Sequence, residues 1–119
     1  MVKECELLHR AIVNKPEYWN SKTKRPTSVA FRDPNGVSLE RNKGRCFELV
    51  KETLIKKITK ELVGEARFLA KVCTDVGCMV EPYPKNSEFH AHLWGDSSRA
   101  LVTKDQAHAI IEDSEIIEH

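Results

Sequence analysis

Long apolar runs and nucleotide-binding loops are both missing from this sequence. No stretch approaches the roughly 20 apolar residues that a membrane-spanning helix requires. The first six residues include Lys3, Glu4 and Glu6, whereas a secretory signal needs an uninterrupted apolar core. The five glycines form no phosphate-cradling loop, and there is no Gly-x-Ser-x-Gly elbow or His-Glu-x-x-His metal motif. We therefore expect a cytoplasmic protein without membrane contact, and nothing indicates a nucleotide-dependent enzyme.

Cysteine is too sparse to form a disulfide framework. Of the four cysteines, only Cys73 and Cys78 are close in sequence, while Cys5 and Cys46 stand apart. Free thiols are the rule inside cells, and a chain of 119 residues can bury a core without covalent cross-links. Because domains usually have about 100–150 residues, we expect residues 1–119 to form a single domain.

The net charge is only +1, but the charges are unevenly distributed. Residues 15–45 contain eight basic and three acidic residues, a local charge of +5. Residues 105–119 contain five acidic residues and neither Lys nor Arg, a local charge of −5. A nucleic-acid-binding protein is usually more basic overall. The two blocks could steer a charged partner, pair with each other in the fold, or be solvated surface.

The N-terminal part of the chain predicts a strand followed by a hairpin. Residues 7–13 form an apolar run with β-branched residues, which favours a strand that stops before Pro16. Asp33-Pro34-Asn35-Gly36 has the composition of a β-turn, with glycine at the position that needs a positive φ. Because this turn separates residues 28–32 from residues 37–40, we expect those two segments to pair as a hairpin.

A helix is predicted over residues 45–62. Its apolar residues recur every three or four positions, which places them in one stripe along the helix: Phe47, Val50, Leu54, Ile58 and Leu62. Gly64 is positioned to end the helix. We expect the stripe to be buried against a sheet.

The remaining sequence predicts further strands and a second helix. The strands are expected over residues 66–72, 78–81 and 89–94, with a turn over residues 74–77. Thr103 and Gln106 form a capping box at the start of the second helix, and Ile116-Ile117 suits a last short strand. The order predicts an α+β fold: a single small domain with a mostly antiparallel sheet of about five to six strands and two helices packed on one face.

Two histidines on the last long predicted strand are candidate metal ligands. Residues two apart on a strand point to the same side, so His90, His92 and Trp94 are expected to share one face. Neutral imidazole is a common ligand of Zn²⁺, and Asp96 follows closely in the sequence. The alternative is that the histidines face water while the small and apolar residues of the strand face the helices.

Cys73 and Cys78 precede these histidines and would complete a set of zinc-compatible ligands. The pattern differs from the usual zinc finger, because a single residue separates the histidines. Such cysteines are more often small buried hydrophobic residues, and this much apolar sequence needs no structural metal. We therefore predict no cofactor. The alternative is a Zn²⁺ site formed by His90, His92, Asp96, Cys73 and Cys78.

The loop over residues 18–25 is the candidate partner-binding surface. It combines two aromatic residues, Tyr18 and Trp19, with the cations Lys22, Lys24 and Arg25. Trp, Tyr and Arg dominate the hot spots of protein interfaces. Aromatic stacking combined with phosphate contacts is also typical of single-stranded nucleic-acid binding. The alternative is that Trp19 packs against the core and the cations are solvated.

We interpret the sequence as a small interaction or accessory protein that acts through a protein partner. One alternative is a small metal-dependent hydrolase or nuclease centred on His90 and His92. Another is a nucleic-acid-binding module that uses the basic aromatic segment over residues 15–45.

Overall fold

An antiparallel sheet of six strands forms the centre of the computed structural model, which describes residues 2–58, 60–85 and 87–119. The strands are β1 (Leu7–Val13), β2 (Trp19–Asn20), β3 (Arg25–Pro26), β4 (Val37–Arg41), β5 (Leu62–Leu69), β6 (Met79–Pro82), β7 (His90–Trp94) and β8 (Glu115–Glu118). The helices are α1 (Phe47–Lys57), α2 (Ala70–Asp75) and α3 (Lys104–Glu112), and Ser28–Phe31 forms a 3₁₀ turn. The sheet order is β6-β7-β4-β1-β5-β8, while β2 and β3 pair separately. The predicted α+β class is confirmed.

The main hydrophobic core lies on one side of the sheet, which we call the core face. Each central strand sends every second side chain to this face, because side chains alternate along a strand. Two helices, α2 and α3, and the 3₁₀ turn cover it. The large side chains buried here include Leu8, Ile12, Phe31, Leu39, Phe68, Leu93 and Ile110.

The longest helix, α1, packs on the opposite side of the sheet, which we call the α1 face. Val50 and Leu54 are its buried residues, and they lie outside the main core. At its start, the ring of Phe47 meets the imidazole of His9 edge-on with centroids 5.7 Å apart. At its end, the Lys57 ammonium donates to the Glu40 carboxylate at 3.1 Å. The two predicted helices, α1 and α3, therefore lie on opposite faces of the sheet, and the helix that shares the core face with α3 is α2.

The α1 helix is shorter than the apolar stripe predicted. Ile58 is its C-cap and has extended backbone angles, φ −100° and ψ 141°, while Leu62 is the first residue of β5. Gly64 lies within β5 rather than ending the helix. Leu62, the last residue of the predicted stripe, therefore belongs to a strand. An apolar residue four positions after the last helical one fits the start of the next element as well as another turn of the helix.

The predicted hairpin is wrong on one side and correct on the other. Gly36 has a φ of +95° and donates its N–H to the Asp33 carbonyl at 3.0 Å, so the turn is present. The segment before it is a 3₁₀ turn, in which the consecutive residues Ala30 and Phe31 are both buried. A strand would point those two side chains to opposite faces. In addition, β4 has β1 on one edge and β7 on the other, so neither edge is open to a hairpin partner.

The helix α2 replaces the end of a predicted strand. The strand expected over residues 66–72 ends at Leu69, and the chain turns into α2 at Ala70. Ala70 and Cys73 are both buried, a spacing of three that suits one face of a helix. The predicted turn over residues 74–77 is therefore in part the end of this helix.

The C-terminal elements agree with the prediction. Thr103 accepts from the Gln106 backbone N–H and the Gln106 side chain accepts from the Thr103 N–H, which completes the capping box of α3. Ile116 and Ile117 lie in β8, which pairs with β5. None of the helices in the described part of the chain has the length and apolar character needed to cross a bilayer.

Candidate functional site

The α1 face carries the ionisable groups that the sheet buries. Among the described residues, four polar or charged side chains are buried: His9, Glu40, Glu65 and His90. They come from four different strands, β1, β4, β5 and β7, and each alternates with residues of the core face. Buried ionisable groups are costly unless they are paired, so their partners decide what each can do.

Glu65 is the centre of a closed network. Its carboxylate accepts from His9 Nδ1 at 2.7 Å and from the Arg67 guanidinium at 2.8 Å, and His119 Nε2 lies 3.2 Å away. The other His9 nitrogen lies 2.8 Å from the Asn42 side-chain oxygen. Burial raises the pKa of Glu65, but the hydrogen bonds from His9 and Arg67 outweigh it and lower the pKa to about 2. Because both carboxylate oxygens of Glu65 and both ring nitrogens of His9 have partners, this network is structural.

Glu40 forms a second network at the C-terminal end of α1. Its fully buried carboxylate accepts from Arg45 at 2.9 Å and from Lys57 at 3.1 Å. The Lys57 ammonium also donates to His90 Nδ1 at 2.8 Å. Burial and the charge of Lys57 lower the pKa of His90 to about 4, so its imidazole is neutral at pH 7. Because Nδ1 accepts from Lys57, the ring proton is on Nε2.

The predicted metal ligands lie on opposite sides of the sheet. His90, His92 and Trp94 share the α1 face as predicted, with ring centroids 5.0 Å and 6.0 Å apart along the strand. Cys73 and Cys78 are buried in the core on the other side. Within the described residues, no group of three or more His, Cys, Asp or Glu side chains is arranged to hold a metal ion. The structure therefore does not assemble the predicted zinc-binding set.

The remaining members of that set are engaged elsewhere. Asp96 is exposed and accepts from the Ser98 hydroxyl at 2.6 Å and from its backbone N–H at 2.8 Å, which makes it the start of a turn. Burial raises the pKa of the Cys73 thiol and raises that of Cys78 to about 11. Both thiols therefore stay protonated, as buried hydrophobic residues do.

The predicted partner-binding loop has its tryptophan inside the protein. Trp19 is 4% exposed, and its ring packs so closely on Gly64 that a Cβ there would lie 3.0 Å away. Lys22 is exposed, and Lys24 forms an exposed ion pair with Glu118 at 3.4 Å. Arg25 donates to the Ile111 carbonyl at 3.2 Å, and Tyr18 is half-buried beside the cavity described next. The loop presents cations without its main aromatic residue.

A cavity of about 220 Å³ opens where β1 and β4 separate. The two strands pair with each other only at Leu8↔Arg41 and His9↔Glu40. Beyond His9, β1 pairs with β5 but no longer with β4. Most of the cavity wall is apolar and comes from both strands and from the end of α1. Its lining includes the side chains of Arg10, Ile12, Leu39, Leu54 and Lys57.

Arg10 is the unusual residue of this cavity. It lies between Leu8 and Ile12 on the core-face side of β1, where the alternation calls for an apolar residue. Its Nε donates to the Ala30 carbonyl at 2.9 Å and its Nη1 to the Ser38 carbonyl at 3.1 Å. No carboxylate of the described residues lies within ion-pair distance of it. Burial lowers the pKa of Arg10 from its ordinary value, but a guanidinium remains charged.

Our sequence interpretation did not identify Arg10 as a site residue. The signal was an arginine placed in the apolar row of a strand, which breaks the alternation that its neighbours keep. Comparisons with protein-family models, with curated proteins and with solved structures each find no match to this chain.

Proposed function

We propose that this protein binds a small organic anion in the cavity between β1 and β4. The observation that supports this is the Arg10 guanidinium, which lies in a mostly apolar wall and has two backbone carbonyls, and no carboxylate of the described residues, as partners. A small-molecule site that is mostly apolar, with a few directed polar groups, is the usual form of a ligand pocket.

The charge at Arg10 favours an anionic ligand. An arginine in a partly buried position is costly unless an anion balances it, and a protein that needed only packing here would have an apolar side chain. The guanidinium offers planar, paired N–H groups that match a carboxylate or phosphate. Lys57 and Glu40 also line the cavity, but they are paired with each other at 3.1 Å, so the charge left without a carboxylate partner among the described residues is that of Arg10.

The apolar wall favours a ligand that also has an aliphatic part. Ile12, Leu39 and Leu54 are buried and line the same cavity as Arg10. A ligand that places methylene groups against them gains about 0.8 kcal/mol for each group removed from water. A short aliphatic carboxylate combines both features and is therefore the probe of choice.

Isothermal titration calorimetry with hexanoate and with acetate tests this proposal. We expect hexanoate to bind more tightly than acetate, and uncharged hexanol to bind more weakly than hexanoate. Arg10→Met should weaken hexanoate binding by about tenfold or more, because it removes the charge and the fork of donors but keeps an apolar stem. The same substitution should leave the melting temperature unchanged or raise it, since a buried charge is replaced by an apolar group.

Arg32→Met is the matched control. Arg32 is also half-buried and donates to a backbone carbonyl, that of Val102 at 2.8 Å, but it lies outside the cavity. The Arg32→Met variant should bind hexanoate as the unmodified protein does. The proposal is wrong if hexanoate does not bind, or if the two arginine variants weaken binding equally.

The loop over residues 18–25 has weaker support as a protein-binding surface. Lys22 and Lys24 are exposed and could meet an acidic partner, but the buried Trp19 is not available as an interface anchor. A protein-interaction function through this loop therefore remains a proposal with one supporting feature, its exposed positive charge.

A further inference from the structure

We infer that a second site, separate from the Arg10 cavity, binds a flat heteroaromatic ring such as a nucleobase. The site is an open groove at the β6 edge of the sheet, on the α1 face. Its lining residues are Asn35, Glu81, Pro82, Tyr83, His92, Trp94 and Arg99. We call it the aromatic groove.

A stack of rings forms the base of the aromatic groove. Tyr83 lies on His92 with ring centroids 4.3 Å apart and planes 20° apart, which is a stacked geometry. The Trp94 ring contacts the His92 ring edge-on, with ring centroids 6.0 Å apart. Tyr83 is 38% exposed, so part of its ring surface is open to solvent. An exposed aromatic face held in place by a second ring is the kind of surface on which planar ligands stack.

The turn before β4 packs closely against two rings of this stack, His92 and Trp94. Gly36 approaches the rings so closely that a Cβ there would lie 2.9 Å from Trp94 and 3.1 Å from His92. Its φ of +95° is a conformation that glycine adopts without strain. Backbone therefore supports His92 and Trp94 from behind, and Tyr83 is stacked on His92, so a ligand would meet rings that are already in place.

Polar groups at the edge of the groove favour a heteroaromatic ring over a purely hydrocarbon ring. Arg99 forms a two-point ion pair with Glu81, with contacts of 2.5 Å and 3.1 Å, and holds this position with a positive φ of 62°. Asn35 also lines the groove and is exposed. These donors and acceptors suit a ring with nitrogen and oxygen atoms on its edge.

A nucleobase could reach the aromatic groove either from a free nucleoside or from a single-stranded nucleic acid. We would therefore titrate the protein with adenosine and, separately, with an adenylate hexanucleotide, and follow binding by calorimetry. Ribose is the control without a heteroaromatic base. We expect saturable binding of a base-containing probe and none of ribose at the same concentrations.

The variants separate stacking from other effects. Tyr83→Ala should weaken binding by about tenfold, as the loss of a stacking partner does, while Tyr83→Phe keeps the ring and should bind as the unmodified protein does. Arg10→Met should not change binding, because the groove and the cavity share no lining residue. Circular dichroism of each variant checks that it is folded.

The possible results distinguish this inference from the proposed function. Binding of adenosine that depends on Tyr83 and not on Arg10 supports a free nucleoside, and binding of the hexanucleotide alone with the same dependence supports nucleic acid. If neither probe binds, or if Tyr83→Ala binds normally, the inference is overturned and hexanoate binding is unaffected. If Arg10→Met abolishes adenosine binding, the ring enters the cavity and the aromatic groove is not a separate site.

Discussion

Single residues carry the strongest physical constraints in this protein. Gly36 is one of them, because it combines a positive φ with close contact to Trp94 and His92. Arg10 is another, because its charge lies in a row of apolar side chains. The first constraint was visible in the sequence as a turn motif, whereas the second was visible only as an exception to an alternating pattern.

At this scale we predict that Gly36→Val destabilises the fold more than the same change at Gly44. Both glycines have a positive φ, +95° and +74°, so both substitutions strain the backbone by about 1 kcal/mol or more. Only at Gly36 does the added Cβ also clash, since nothing lies within 4 Å of a Cβ at Gly44. Urea denaturation of the two variants measures the difference. Equal losses would mean that contact with the rings is not tight.

The position of each candidate site residue was predictable where local periodicity decides it. His90, His92 and Trp94 share one face because a strand alternates, and the sequence was enough to show this. That Cys73 and Cys78 lie on the other side depends on which face the helices cover. Sequence periodicity gives the pattern on each strand but not which of the two faces receives which helix.

The elements of the fold were predictable where start and stop signals are strong. The capping box at Thr103 and Gln106 marked the start of α3 correctly, because two reciprocal hydrogen bonds need that spacing. The end of α1 had no such signal, and the apolar stripe ran on into β5. The 3₁₀ turn at residues 28–31 was missed because both edges of β4 are taken by other strands, which is information that only the tertiary structure contains.

The placement of α1 on its own face leads to a prediction about Leu54. This side chain is 4% exposed and lies on the side of α1 that faces the sheet. Leu54→Ala should therefore lower the free energy of unfolding by about 2–5 kcal/mol. The neighbouring Ile55 is 50% exposed, and Ile55→Ala should change it by less than about 0.5 kcal/mol. Chemical denaturation of the pair tests the orientation of α1. Similar losses for both variants would show that the helix is rotated or detached.

The whole molecule should lose stability in acid in two successive ranges of pH. Burial and the charge of Lys57 lower the pKa of His90 from its ordinary 6.5 to about 4. Between pH 6.5 and 4 the unfolded chain therefore binds a proton at His90 that the native state does not bind, which lowers the free energy of unfolding. Glu65, with its pKa lowered from 4.5 to about 2, contributes stability above pH 4.5 that is lost as the pH falls towards 2. The free energy of unfolding should therefore decline from pH 6.5 downwards.

A pH series of denaturation curves measures this decline, and His90→Asn separates its two parts. The variant should show a smaller decline between pH 6.5 and 4 and the same decline below pH 4. His108→Asn, at an exposed position of α3, is the control and should follow the unmodified protein throughout. A His90→Asn profile identical to that of the unmodified protein would mean that His90 is protonated in the native state.

The two edges of β1 are paired to different extents, and this affects where the sheet opens. β1 forms seven residue pairs with β5 but only two with β4, although it is the strand that connects β6-β7-β4 to β5-β8. Local unfolding begins where the fewest hydrogen bonds must break. The two parts of the sheet should therefore separate transiently between β1 and β4 before any other pair of strands separates. The cavity lies between these two strands. A ligand that contacts Arg10 on β1 and Leu39 on β4 would bridge them, so the same opening that admits the ligand would become rarer once it is bound.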